Sequence, residues 1–261
     1  MGRWRLLRAL ACTLVGIYLI APLVVVLIIS FSSAAFLRFP PPGFSLRWYA
    51  NLANDSAWID ATWVSIQVLV PTAVLSTALG TAAALALIRG RLPGAGFLGA
   101  VLMAPLVVPG IITSAGLYII YRTIGLNGTL TGMVIGHVVV TLPYVIATIG
   151  SALRSLDPRL EAAAATLGAP PSAAFRRITL PLLAPAVLSS MLFAAVLSFD
   201  ELIVSLFVGS ARLRTVPVQM WSNIRGDFDP TVAAIASLCF LVALLALGLE
   251  ALLRRRNGDR E

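Results

Sequence analysis

Apolar residues in this chain come in long blocks, without the strict alternation of a half-buried strand or the every-third-or-fourth spacing of a surface helix. Six blocks stand out, at 9–31, 61–88, 95–121, 132–150, 182–208 and 231–253. Each is near or above the roughly 20 residues that a helix needs to cross about 30 Å of hydrocarbon. The pattern predicts an all-α integral membrane protein: one transmembrane domain over residues 1–261, with six spans and a polar loop at 151–181 between the fourth and fifth.

The first block needs a separate reading, because "MGRWRLLRALACTLVGIYLIAPLVVVLIISFSSAAF" has the basic start and small-residue end of a secretory signal. A signal's apolar region runs about 7–15 residues, and this one is longer, which favours a retained first helix. Cys12 lies ahead of most of the run and Cys239 lies in the last block, so the two cysteines read as packing residues.

Composition agrees with the pattern. The chain is 59% hydrophobic and 11% charged, whereas a soluble domain carries about a quarter charged residues. All 19 basic residues are arginine. A Walker A loop needs its lysine to reach the nucleotide phosphates, so the chain is not expected to bind ATP itself. The net charge of +8 is accounted for by the excess of basic residues in cytoplasmic loops, and nucleic acid is not an expected partner. Thirteen arginines (3, 5, 8, 89, 91, 154, 159, 176, 177, 254, 255, 256 and 260) fall on one side of the six spans, against Arg38, Arg47, Arg122, Arg212, Arg214 and Arg225 on the other. Both termini and the 151–181 loop are therefore expected in the cytoplasm. The 32–60 loop, with three consecutive prolines and Trp48, Tyr49, Trp58 and Trp63, reads as a short helix anchored at the outer interface by aromatic rings.

Within the 151–181 loop, Asp157 and Pro158 suit a helix start, "RLEAAAATL" has high helix propensity, and Gly168 suits a left-handed C-cap. "APPS" then turns the chain, and Ser172 can cap a second short helix, "AAFRRI", that leads to Pro181. The expected product is a helical hairpin with a small, alanine-rich face and one large apolar anchor, Phe175, beside Arg176 and Arg177. Such a surface fits a groove in another protein.

Gly168, nine residues, then Ile178, Thr179, Leu180 and Pro181 resembles the G-x9-I-x-L-P half of the "EAA" signature in membrane subunits of binding-protein-dependent ATP-binding-cassette importers. Registered on Gly168, the signature's glutamate falls on Ala162, and the acid here is Glu161, one position earlier; one step turns a helical side chain by about 100°. Ala162, Ala163 and Ala164 retain the small-residue character. "FSLRWYANL", "PLVVPGIITSAGL", "GHVVVTLPYV", "LSFDELIVSLFVG" and "TVPVQMWSNIRGDFDPTVAAIASL" extend the likeness over nearly the whole chain, toward permeases of the spermidine/putrescine type. The resemblance implies a type I ABC importer permease fold with six transmembrane helices in the bacterial inner membrane. It also implies a second homologous permease, two ATPase subunits that carry ATP and Mg, and an extracytoplasmic substrate-binding protein. The 160–178 hairpin would then be the coupling helix that transmits nucleotide-driven closure.

Asp200 and Glu201 are the acids set well inside an apolar block, where a charge costs about 2.5–3.5 kcal/mol on insertion scales. Two roles fit: carboxylates along the path of an imported cation, or structural partners of Arg122 or of an arginine in the second permease. His137, the single histidine, fits a hydrogen-bonded structural position or a proton relay. Pro105, Pro109, Gly110 and Pro143 predict kinks, and Gly80, Gly116 and Gly132 predict close helix packing. Arg225, Asp227 and Asp229 lie in the last outer loop, where docking to a binding protein and ordinary solvated charge both fit. A secondary transporter usually shows inverted repeats, and none is evident. An intramembrane enzyme would need a nucleophile–base set or metal ligands, and no HExxH or GxSxG is present.

Overall fold

The computed structural model describes the backbone of residues 2–90, 92–226 and 229–258, and the side chains of 4–90, 92–226 and 229–244. Arg91, Asp227 and Arg260, and the side chains of Arg3, Arg254, Arg255 and Arg256, lie outside the described residues. Among the described residues the regular structure is helical, apart from an isolated bridge between Ser32 and Phe44. In order the helices are α1 (Gly2–Ser30), α2 (Arg47–Asn54), α3 (Ser56–Ile88), α4 (Ala95–Val107), α5 (Gly110–Ile124), α6 (Leu130–Ser155), α7 (Arg159–Thr166) and α8 (Pro171–Ala174). A π-helical turn (Phe175–Thr179) then leads into α9 (Leu180–Asp200), α10 (Ile203–Val208), α11 (Val216–Arg225) and α12 (Thr231–Gly258).

The stretches Trp4–Ser30, Ser56–Ile88, Leu130–Ser155 and Pro171–Asp200 are each long and apolar enough to cross a membrane. The third expected span departs from the sequence reading. It is a broken pair, α4 and α5, bent by 109°. Pro109 has no N–H to donate to the Pro105 carbonyl, so the helical ladder cannot run through it, and α5 restarts with Ile112 and Thr113 donating to the Pro109 carbonyl at 2.9 and 3.2 Å. The fifth expected span also ends early, at Asp200, and α10 follows as a separate short helix. In α6, by contrast, the chain runs unbroken across Pro143. In α12 the apolar part with described side chains is Thr231–Leu244.

The chain divides into two compact units, Met1–Ile59 with Gln219–Glu261, and Asp60–Val218. In the first, α12 packs on both α1 and α2. Residue α2 positions are tied down by polar tips: Tyr49 shares a 2.7 Å hydrogen bond with Ser30, its ring lies 5.1 Å from that of Phe31, and Asn51 donates to Thr231 at 2.9 Å. The aromatic set expected at the interface therefore divides. Trp63 is exposed, Arg47 lies over the Trp48 ring, and Trp58 is buried in the protein and cannot anchor to a bilayer surface.

In the second unit α6 is the central element, packed by α9, α4, α10 and α5. One end of its buried stripe, Met133, Val134 and Val138, meets Val64, Val68, Tyr121, Val204 and Val208. The other end, Val145, Ile146, Ile149 and Leu153, meets Ala84, Leu183 and Ala194. Recurrence at positions three and four apart puts these residues on one face. Ser76 and Thr141 share a hydrogen bond of 2.6 Å in the interior, which removes the cost of burying two hydroxyls. Gly80 permits α3 to approach α6: an added Cβ would lie 2.5 Å from Val145 Cγ1. The expectation of close packing fails at Gly116, where an added Cβ meets nothing within 4 Å. Gly132 is crowded by its own preceding turn, at the Leu126 carbonyl. Cys12 and Cys239 are free thiols.

Overpacking costs typically about 1–3 kcal/mol, so Gly80→Ala is expected to lower the unfolding midpoint of the detergent-solubilised protein. Gly116→Ala, with open space for the methyl group, is expected to leave it unchanged or raise it. Equal midpoints for Gly80→Ala and the unsubstituted chain would remove the close approach at Gly80.

Candidate functional site

The hairpin begins where Asp157 Oδ1 accepts the Arg159 N–H at 2.9 Å. It turns at Gly168, with φ of +84°, a conformation that costs residues with a Cβ about 1–2 kcal/mol. Gly168 donates to the Ala165 carbonyl and Ala169 to the Ala164 carbonyl, both at 3.0 Å. This pair of bonds is a Schellman motif, which satisfies carbonyls that the end of α7 would leave open. Ser172 does not cap the second helix, because Pro171 already occupies its first turn. The Leu180 N–H reaches back five residues to Phe175. Pro181, one residue on, has no N–H for the Arg177 carbonyl, which breaks the four-residue ladder and favours the π turn.

Glu161, one position ahead of the signature's glutamate, does not face outward. Its carboxylate turns inward and is bound by the Arg89 guanidinium, at the end of α3, and by the Thr179 hydroxyl. Arg89 also lies 3.4 Å from the Thr179 oxygen. Thr179 is buried, while Arg89 and Glu161 are partly exposed. Glu161 therefore fastens the hairpin to two other elements. Phe175 is likewise not the exposed anchor that its sequence position suggests: it is half-buried and lines a cavity of about 600 Å³ with Leu85, Arg89, Glu161 and Ala165. The large apolar side chain presented outward is Leu167, 88% exposed beside Gly168. Ala162, Ala163, Arg176, Arg177, Leu180 and Pro181 are exposed, and Ala164 and Ile178 half-buried.

Asp200 and Glu201 occupy different environments. Asp200 is the exposed last residue of α9, and among the described residues no group pairs with it. Glu201 sits in the break. Its Oε1 accepts the N–H groups of Ile203 and Val204 at 2.9 and 3.0 Å, so the carboxylate caps α10. It also lines a cavity of about 360 Å³ with Pro105, Val108, Thr141, Tyr144 and Leu197. Arg122 lies over the Tyr118 ring, 5.9 Å from its centroid, and not on either acid. His137 is fully buried and bonded through Nδ1 to Ser198 at 2.9 Å and through Nε2 to Ser205 at 3.0 Å. Those two bonds join α6 to α9 and α10, the structural role among the two open to it.

The hairpin and the broken segments lie within residues 78–258, which match the family described as binding-protein-dependent transport system inner membrane component. The chain belongs to this family. The permease is 36% identical over 229 residues to the putrescine transport system permease protein PotI of Escherichia coli K12, covering 85% of this chain and 81% of the relative. It is 30% identical over 251 residues to the spermidine/putrescine transport system permease protein PotC of the same strain, covering 96% and 95%. Its fold matches a chain of a bacterial ABC transporter involved in import of the acidic polysaccharide alginate, with a TM-score of 0.71 at 18% identity, covering 95% and 96%. A second alginate transporter structure, in complex with an alginate pentasaccharide-bound periplasmic protein, matches with a TM-score of 0.66 at 16% identity, covering 97% and 94%. The permease is thus an inner-membrane component with an ABC importer permease fold, and the relatives named above are permease proteins of transport systems.

Sequence reasoning missed Arg89, Thr179, Leu167 and Tyr144. The T of "ITLP" and the leucine ahead of Gly168 were visible signals within the motif, whereas Arg89 is 72 residues from Glu161 and carries no local signal. Glu161→Ala and Arg89→Ala are each expected to speed backbone hydrogen exchange across residues 158–179 by about threefold to tenfold, the loss of a charge-assisted bond at a part-exposed site. Unchanged exchange in both variants would show that the hairpin is held by packing alone.

Proposed function

We propose that this permease forms, with a second homologous permease, the membrane path of a polyamine importer for putrescine or spermidine. The single observation that carries the substrate reading is Glu201, a carboxylate on the wall of a cavity whose lining includes no basic side chain. The likeness to PotI and PotC over most of the chain supports it. The arginine bias supports an orientation with both termini and the hairpin in the cytoplasm. There two ATPase subunits would carry ATP and Mg, this chain binding neither. The coupling surface would be the exposed part of the hairpin, Ala162, Ala163, Gly168, Arg176, Leu180 and Pro181 with Leu167 projecting, while Glu161, Ala164, Phe175 and Ile178 support it from within. ATP binding closes the ATPase pair, the hairpins approach each other, and the path opens outward to a substrate-loaded extracytoplasmic binding protein. Asp200 and Glu201 make a cation's passage favourable in a medium where charges interact far more strongly than in water. The chain performs no covalent chemistry.

In proteoliposomes holding both permeases and the ATPase subunits, binding protein with putrescine or spermidine is expected to stimulate ATP hydrolysis and drive amine uptake. Asp200→Asn combined with Glu201→Gln is expected to abolish uptake while the complex still assembles. Stimulation by a different solute alone would remove the polyamine reading, and full uptake by the double amide would remove the acidic path.

A further inference from the structure

We infer that Glu201, Tyr144 and the broken segment between α4 and α5 form a site for one terminal ammonium group of the transported amine, an inference that rests on the polyamine reading above. An alkylammonium offers three N–H donors and a positive charge, followed by an apolar chain. The cavity of about 360 Å³ presents a matching set. Both bonds that cap α10 end on Glu201 Oε1, and Oε2 has no partner among the described residues. Two carbonyl groups of the break are open for the same reason that the break exists. The Val108 carbonyl receives no backbone hydrogen bond, and Pro109 has no N–H for that of Pro105; both residues line the cavity.

Tyr144 supplies an aromatic surface. Its ring is set edge-on to Phe193, with centroids 5.7 Å apart and planes at 68°, and it is 37% exposed. A cation over an aromatic face is attracted by the ring quadrupole, more strongly where water is scarce. Leu106, Val107 and Leu197 provide apolar wall for the methylene chain. No arginine lines the cavity to repel the ammonium or to claim the carboxylate. The adjacent acid Asp200 is not part of this lining, so the two carboxylates act at different points along the path.

The test is putrescine uptake by the complete importer in proteoliposomes, with KM and maximal rate measured separately for Glu201→Gln, Tyr144→Leu and Tyr144→Phe. Glutamine keeps an oxygen for the α10 N–H groups, so the cap persists while the charge is lost. Phenylalanine keeps the ring that leucine removes. Glu201→Gln and Tyr144→Leu are each expected to raise KM by about tenfold, and Tyr144→Phe to recover most of what Tyr144→Leu loses. An unchanged KM in either of the first two variants, or a fall in maximal rate alone, overturns the site while leaving the polyamine reading intact. No uptake of putrescine or spermidine by the unsubstituted complex overturns both.

Discussion

A backbone amide inside a bilayer has no water to bond, so each interruption of a helix must be satisfied by the protein itself. The second unit of this permease is arranged around that constraint. Its central helix, α6, stays continuous across Pro143 and buries a full stripe of side chains. Its two neighbours break, and each break has an identifiable local cause. At Pro109 the missing N–H ends the ladder. After Asp200, the Glu201 carboxylate takes the first N–H groups of α10. The breaks meet at one cavity, because Pro105, Val108 and Glu201 all line it. Irregular backbone at membrane depth is tolerated where it lines a cavity, and residues of both interruptions do so.

Polar groups elsewhere in the interior follow the same rule on a smaller scale. His137 is held by Ser198 and Ser205, and Thr141 by Ser76 and the His137 carbonyl. These bonds connect α3, α6, α9 and α10 through hydroxyls, which cost far less to bury than charges. Among the described residues the side-chain ion pair is at the hairpin, where Arg89 and Glu161 remain partly exposed. A pair in that position ties the hairpin to α3 without the desolvation penalty of full burial. The Schellman turn at Gly168 then fixes the direction of Leu167. The hairpin is thus held to the end of α3 by the Arg89–Glu161 pair and to the π turn by the Thr179 hydroxyl.

The comparisons separate fold from cargo. The alginate transporter chain shares the backbone arrangement at 18% identity, and it serves an acidic polysaccharide. At that identity the likeness identifies the fold and not the substrate, which is set by side chains grafted on the fold. Here Glu201, Tyr144 and the interrupted backbone at Pro105 and Val108 line the cavity.

Long apolar blocks, proline positions and the Gly168 spacing determined the membrane class, the hairpin and the family, because each follows from local chemistry: hydrocarbon solvation, a missing N–H, a tolerated positive φ. The kink expected at Pro109 was legible for that reason, as was the cap at Gly168. The sequence could not show that Trp58 would be buried, that Gly116 would face open space, or that Phe175 would turn inward and leave Leu167 projecting. Nor could it pair Glu161 with Arg89, or separate the environments of Asp200 and Glu201. Those outcomes depend on which helix faces approach one another. Adjacent residues on a helix point about 100° apart, and only the packing of distant segments decides which of them meets protein.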